Sequence, residues 1–188
     1  MNIFKSIGHA TITFFCSTGK ISVFTANSVA AIVKPPIYFR GIATNLFNIG
    51  FLSLPVVALT AIFTGAVLAL QSYTGFSRFN AESTISTVVA LSITRELGPV
   101  LAGLMISGRV GAAISAEIAS MRVTEQIDAL ATLSTDPYKY LIAPRILAAV
   151  IALPFLVIVA DILGIMGGYL IAVYKLGFNP TTYIKNTF

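Results

Sequence analysis

The feature that most limits what this chain can fold into is a run of 37 residues, 41–77, without a single charged side chain. About 20 apolar residues are enough for an α-helix to cross the hydrocarbon core of a bilayer. We therefore predict a membrane span whose core is 51–70. Pro55 is expected in its first turns, where a missing N–H costs least, and the polar segment 71–75 is expected to end it.

The composition extends this interpretation to the whole chain. Hydrophobic residues make up 56% of the 188 residues and charged residues 10%, whereas soluble domains carry about a quarter charged residues. These values exclude a soluble monomer and a disordered chain. The formal net charge of +5 is typical of basic loops that flank spans, and we expect no nucleic-acid partner. The predicted fold class is an all-α polytopic membrane protein.

Catalytic and metal-binding patterns are missing from the sequence. One cysteine, Cys16, excludes an internal disulfide framework, and one histidine, His9, disfavours a histidine-based metal site. Neither a G-x-S-x-G nucleophile motif nor a G-x-x-x-x-G-K-[ST] phosphate loop occurs. We therefore expect no enzyme activity, no metal and no cofactor on this chain. If ATP drives the protein, another subunit binds it.

The first 40 residues predict an amphipathic helix that lies in the membrane interface. Apolar and polar residues alternate there, and Lys34-Pro35-Pro36 is expected to end the helix. No acidic residue precedes Glu82, whereas basic residues recur, among them Lys5, Lys20, Lys34 and Arg40. By the positive-inside rule, this end of the chain faces the cytoplasm.

A second apolar stretch, 85–107, carries two charges near its middle, Arg95 and Glu96. Gly98-Pro99 follows, and the proline is expected to kink the helix. Ionisable residues at bilayer depth are costly and are candidates for function. The alternative is a structural one, in which the two side chains pair with helix ends or with each other.

Small residues follow in two rows with a spacing of four, which lets helix backbones approach closely. Ordinary packing within the protein explains these rows, and dimerisation is the alternative. The rows consist of Gly103, Ser107, Gly111, Ser115 and Ala119, and of Gly108, Ala112, Ala116 and Ser120.

A charged segment then separates two spans, with eight charges between residues 109 and 145. Glu117, Met121 and Glu125 are spaced to share a helical face, and Arg122 can pair with Glu125. Asp136-Pro137-Tyr138 predicts a turn. Such a segment on the cytoplasmic side is either a solvated connector or the docking surface for a motor subunit, and the charge pattern alone does not choose.

The last predicted span is 146–174, which is longer than one crossing needs. Asp161 lies within it, and Gly164 and Gly168 offer a second close-packing face. Lys175 and Lys185 are expected on the outer side. The chain then reaches Phe188 in a mildly apolar segment that we interpret as unfinished.

Several of these segments resemble the MlaE family of ABC-transporter permeases. The two most specific are RELGP at 95–99 and AEIASMRVTEQ at 116–126. Others follow the family's order: NIGFLS at 48–53, TGAVLALQ at 64–71, GRVGAA at 108–113, DP at 136–137, APR at 143–145 and LP at 153–154. The chain is similar to the family over most of 48–168 and lacks its later membrane helices.

The resemblance implies a phospholipid-transport permease in the bacterial inner membrane that contributes to outer-membrane lipid asymmetry. Residues 1–188 would form one permease domain, incomplete at its C-terminus, with an interfacial region (1–40) and membrane helices (41–188). Expected partners are a second copy, a cytoplasmic ATPase that binds ATP, and a periplasmic lipid-binding ring. The alternative is an inactive remnant or a non-transporting scaffold.

The resemblance also implies roles for particular residues of this chain. One group lies along the lipid pathway: Arg95, Glu96, Gln71 and Tyr73. A second group couples the permease to the ATPase: Glu117, Met121, Arg122, Glu125 and Gln126.

Overall fold

The computed structural model describes residues 3–33, 38–77 and 84–187, which are almost entirely helical and contain no strand. Two π turns, Ile93–Leu97 and Tyr138–Ile142, lead into the fourth and sixth helices. The helices are α1 (Ile3–Val33), α2 (Phe39–Phe76), α3 (Ile85–Ser92), α4 (Gly98–Val123), α5 (Gln126–Thr132), α6 (Ala143–Tyr174) and α7 (Pro180–Thr187).

Among the described residues, three helical segments are long and apolar enough to cross a membrane: Phe39–Phe76, Ile85–Val123 and Tyr138–Tyr174. This confirms the predicted all-α polytopic fold with about three spans. The N-terminal helix α1 is not one of the three. It contacts the start of the third segment through the rings of Phe24 and Tyr138, whose centroids are 5.8 Å apart, and its position in the membrane interface stays a prediction.

The bounds of α2 differ from those predicted. Because the helix begins at Phe39, Pro55 lies in its interior rather than in its first turns, and the helix continues through 71–75 to Phe76. Within lipid, helical hydrogen bonds are the only partners for most backbone groups, and neighbouring helices make one lost bond at proline tolerable. The whole uncharged run is therefore helical.

The core of the bundle is the contact between α2 and α6, where buried residues, most of them small, recur every fourth position. A Cβ atom at Gly65 would overlap the carbonyl oxygen of Gly164, and one at Gly167 would overlap that of Ile62. The backbones are thus in direct contact, which confirms the close-packing face predicted around Gly164. The buried stripes are Ile49, Ser53, Val57, Ala61, Gly65 and Ala69 on α2, and Ala148, Ala152, Leu156, Ala160, Gly164, Gly168 and Ala172 on α6.

The segment 85–123 packs across this helix pair. Its buried residues meet the pair at three levels: Ile93 near Ala69, Ala102 near Val57, and Ile106 near Ile49. The π turn Ile93–Leu97 directly precedes Gly98-Pro99, where a kink is predicted, and the proline occupies the first turn of α4. The Gly98 N–H bonds to the Ile93 carbonyl oxygen across the π turn, so the proline, which has no N–H, follows a change in the hydrogen-bond pattern of the helix.

The small-residue rows of α4 do not pack within the described part of the chain. No atom lies within 4 Å of the Cβ position at Gly103, Gly108 or Gly111. Between residues 107 and 120, every residue is exposed apart from Val110, Ile114 and Ile118. Packing of these rows against the described part of the chain, the first interpretation, is therefore not observed. Dimerisation stays a prediction.

The last helix, α7, folds back onto the start of α3. The Thr87 hydroxyl donates to the Asn186 carbonyl oxygen at 2.6 Å, and the rings of Tyr183 and Tyr169 are 5.7 Å apart. Burial raises the pKa of Tyr183 to about 12, so its hydroxyl is neutral at physiological pH.

We predict that Gly65→Ala destabilises the bundle, because the added methyl group meets the backbone of Gly164. Overpacking of this kind costs about 2 kcal/mol or more. Gly50→Ala is the matched control on the same helix, since its Cβ position lies 4.0 Å from its nearest neighbour, Ala152. Unfolding in detergent micelles measures both, and equal stability of the two variants would contradict the backbone contact.

Candidate functional site

Arg95 and Glu96 both lie on the π turn and are exposed on the surface of the second span. Within the described chain, neither side chain has an ion-pair or hydrogen-bond partner, so the structural alternative of mutual pairing is not observed. π turns inside helices are frequent at functional sites. Unpaired charges at bilayer depth face a bundle interior or a water-filled cavity in nearly all membrane proteins.

The other two predicted pathway residues lie further along the bundle. Ile93 packs against Gly164, which faces Gly65 of α2, so the π turn is level with that part of α2. Gln71 is six residues beyond Gly65, about 9 Å at helical rise. It is exposed, whereas Tyr73 is half-buried and its ring lies 6.0 Å from that of Phe178. The structure shows no contact between this pair and Arg95 or Glu96.

A third charged residue, Asp161, lies directly behind the π turn. Its Oδ1 atom is fully buried and has no hydrogen-bond partner among the described residues. A Cβ atom at Gly98 would overlap this oxygen and would lie 2.9 Å from the Ile93 carbonyl oxygen. A side chain at residue 98 would therefore require the Asp161 carboxylate to move. The sequence places Asp161 in an apolar stretch but gives no sign that it adjoins Gly98.

The charged segment, residues 109–145, changes direction at a residue whose backbone is in the left-handed conformation. Helix α4 ends at Val123, and Glu125 adopts φ 58° before α5 begins at Gln126. Glu117, Met121 and Glu125 therefore do not share one helical face, contrary to the prediction. No described residue of α5 is buried, which leaves the segment open to a partner.

The predicted pair of Arg122 with Glu125 is also wrong. Arg122 Nη1 instead lies 2.7 Å from Asp128 Oδ1, because the left-handed turn brings the first turn of α5 back towards the end of α4. A carboxylate in that turn also interacts favourably with the helix dipole. The turn predicted at Asp136-Pro137-Tyr138 is instead the start of the third helical segment: the Tyr138 N–H donates to Asp136 Oδ1 at 2.9 Å, and the turn itself lies at residues 133–134.

Two polar contacts tie α4 to the helix pair. Glu117 Oε1 lies 2.6 Å from Arg145 Nη2, and the Arg145 side chain is only 7% exposed against 59% for Glu117. Arg109 Nη1 donates to Ser53 Oγ at 2.6 Å. Sequence reasoning missed both contacts because the partners are far apart in the chain. The charged segment is thus in direct contact with both α6 and α2.

These features define an all-α, multi-pass membrane protein with exposed charges at span depth, an arrangement typical of transport proteins. Residues 42–188 match the family model described as Permease MlaE. The chain belongs to the MlaE permease family.

Individual relatives agree with this assignment. A probable ABC transporter permease protein of Rickettsia felis is 63% identical over all of this chain and 73% of its own length. The intermembrane phospholipid transport system permease protein MlaE of Haemophilus influenzae is 38% identical over 92% of this chain and 66% of its own. The chloroplastic protein TRIGALACTOSYLDIACYLGLYCEROL 1 of Arabidopsis thaliana is 36% identical over 85% and 46%. The predicted resemblance is confirmed.

We predict that Glu117→Gln lowers stability, because it leaves the buried Arg145 guanidinium without its counter-charge. The expected loss is about 2 kcal/mol, less than for a fully buried pair because Glu117 is largely exposed. Asp128→Asn is the matched control: it removes the carboxylate of an exposed pair, which costs less than about 1 kcal/mol. Unfolding in micelles compares them, and a Glu117→Gln loss no larger than that of the control would refute the role of the pair.

Proposed function

We propose that this chain is the membrane-spanning subunit of an ABC transporter that moves phospholipids between the bacterial inner membrane and a periplasmic carrier. In this proposal it contributes to outer-membrane lipid asymmetry, and its N-terminus is cytoplasmic. The observation that carries the proposal is the unpaired, exposed Arg95–Glu96 couple at span depth in a chain of the MlaE family. The name of the Haemophilus influenzae relative supports phospholipid as the substrate.

The couple suits a phospholipid headgroup chemically. A guanidinium binds phosphate oxygens in a bidentate manner, and a neighbouring carboxylate can accept hydrogen bonds from a headgroup amine. Arg95 and Glu96 would therefore hold both charges of a zwitterionic lipid. Gln71 and Tyr73, about 9 Å and 12 Å beyond the level of Gly65 along α2, would contact the lipid nearer the mouth of the pathway.

In this proposal the charged segment transmits the motion of the ATPase. The coupling residues are Glu117, Met121, Arg122, Glu125 and Gln126. ATP binds to the partner subunit, and this chain carries no cofactor. The contacts Glu117–Arg145 and Arg109–Ser53 give the segment a mechanical link to α6 and α2. The exposed rows of α4 would pair with a second copy, and a lipid-binding ring would complete the assembly.

We predict that Arg95→Gln and Glu96→Gln each slow ATP-dependent phospholipid transfer at least about tenfold, the effect of losing one charge-assisted contact. The measurement uses proteoliposomes that contain the chain with its ATPase and ring subunits. Lys175→Gln, which neutralises an exposed lysine beyond the last span, is the control and should transfer normally. Unchanged transfer by both variants would remove the proposed pathway role. No transfer by the unaltered assembly would favour a non-transporting scaffold.

We predict that reversing the charge at Glu125 reduces copurification with the ATPase, because the exposed carboxylate is placed to meet a basic surface. Glu125→Lys should lose most of the complex, whereas Glu125→Asn keeps a residue that tolerates the left-handed backbone and should lose less. Pull-down from solubilised membranes measures this. Full retention of the ATPase by Glu125→Lys would contradict the proposed role of Glu125 in docking.

A further inference from the structure

The helix α7 and the loop before it contact all three spans at the end of the bundle where α6 ends. The Asn186 carbonyl oxygen of α7 accepts a hydrogen bond at 2.6 Å from the hydroxyl of Thr87, near the start of the second span. Tyr183 of α7 packs on Tyr169 of α6, with ring centroids 5.7 Å apart. In the loop, the ring of Phe178 lies 6.0 Å from a tyrosine ring of α2. This short segment therefore joins the ends of the three spans.

The helix α7 depends on these contacts because it is too short to be stable by itself. Isolated helices of fewer than about 12 residues are marginal in water, and α7 has eight. Residues 175–179 connect it to α6, and Gly177 among them adopts φ 74°. Glycine favours this left-handed conformation, which turns the chain at the end of a helix. Rotation at this one short connection can therefore move α7 away from the bundle without a change within any span.

Two features weaken the docking of α7. The first is the hydroxyl oxygen of Tyr183, which is fully buried and has no hydrogen-bond partner among the described residues. It lies beside the contact of α2 with α6, 3.4 Å from the Cβ position of Gly168. Burial of a polar group without a partner is unfavourable, and exposure to water would remove that penalty. The second is a cavity of about 280 Å³ between α7 and Ser86 of α3, where van der Waals contacts are lost.

We propose that α7 is a strap that opens and closes over this end of the bundle while the three spans stay folded. In the docked state it joins the second span to the third through Thr87 and Tyr183. In the released state the Tyr183 hydroxyl reaches water, and α3 and α6 are free to separate at this end. The two states are close in free energy because docking buries an aromatic ring but leaves its hydroxyl unsatisfied.

The strap has a role in the proposed transport function, in which its release opens the lipid pathway at this end of the bundle. That role rests on the proposed function, whereas the opening of α7 does not. The opening and the transport role are therefore tested by separate measurements.

Thiol labelling of the purified full chain in detergent, in a Cys16→Ser background, measures the opening. Ser86→Cys places a cysteine beneath α7, at a position that is 2% exposed. Ala69→Cys is the control, at a position that is 0% exposed and is buried in the cluster between the spans. Labelling of a covered cysteine follows the population of the open form. After correction for rates in the unfolded chain, Ser86→Cys should be labelled at least about tenfold faster than Ala69→Cys, because α7 opens more often than the bundle unfolds.

The unpaired hydroxyl gives a second expected result. Tyr183→Phe removes the hydroxyl and keeps the ring, so it should stabilise the docked state and slow the labelling of Ser86→Cys at least about fivefold. Tyr183→Ala removes the ring that packs on Tyr169 and should speed this labelling at least about tenfold. Neither variant should change the labelling of Ala69→Cys.

Three results would overturn the strap. Equal labelling of Ser86→Cys and Ala69→Cys would mean that α7 leaves only when the bundle unfolds. Unchanged or faster labelling of Ser86→Cys in the Tyr183→Phe chain would mean that the hydroxyl does not oppose docking. Parallel changes at both cysteines in the Tyr183 variants would mean that the whole bundle loosens rather than α7 alone.

The transport role is tested with Thr87→Cys and Asn186→Cys joined by a short cross-linker that a reducing agent cleaves. In proteoliposomes with the ATPase and ring subunits, the cross-link should stop phospholipid transfer and reduction should restore it. Thr87→Cys alone, treated with the same reagent, is the control and should transfer normally. Normal transfer by the cross-linked chain would contradict the role of the strap in transport. Absence of transfer before cross-linking would count against the transport function, whereas the labelling rates decide whether the strap opens.

Discussion

The backbone contact between α2 and α6 is the interaction on which the rest of the structure depends. Lipid tails are as apolar as leucine side chains, so helices in a membrane associate through close packing rather than through the hydrophobic effect. Gly65 and Gly167 allow that packing because a methyl group at either position would overlap the opposite helix. The second span packs against the same helix α6: Ile93 contacts Gly164, and Gly98 contacts Asp161.

This arrangement separates two groups of charged residues along the bundle. Towards the end of the bundle where α2 begins, Arg109 bonds to Ser53 and Arg145 pairs with Glu117, and these contacts connect the charged segment to the spans. At the π turn, Arg95 and Glu96 are exposed and have no partner in the described chain. In the proposed function, the paired charges transmit movement and the unpaired charges contact the substrate.

The spans and the intramembrane charges could be predicted from the sequence, because long uncharged runs and rare ionisable residues are strong signals in single stretches. The close-packing face at Gly164 could also be predicted from the sequence, because of the spacing of its glycines. The Arg122–Asp128 pair was not, because it depends on the left-handed conformation of Glu125, which glutamate rarely adopts. The contact of Glu117 with Arg145 depends on tertiary packing. The exposed small-residue rows of α4 show that such spacing predicts close packing but not which surface packs against it.

Whether Arg95 and Glu96 line a polar path is tested most directly by cysteine accessibility in the assembled transporter. In a chain with Cys16→Ser, we expect Arg95→Cys to react with a charged, membrane-impermeant thiol reagent. Phe63→Cys, on the exposed surface of α2 at a similar level, should stay unreactive because lipid tails cover it. If the two cysteines are equally unreactive, the π turn faces lipid rather than a water-filled pathway, and the proposed role of the charged couple is wrong.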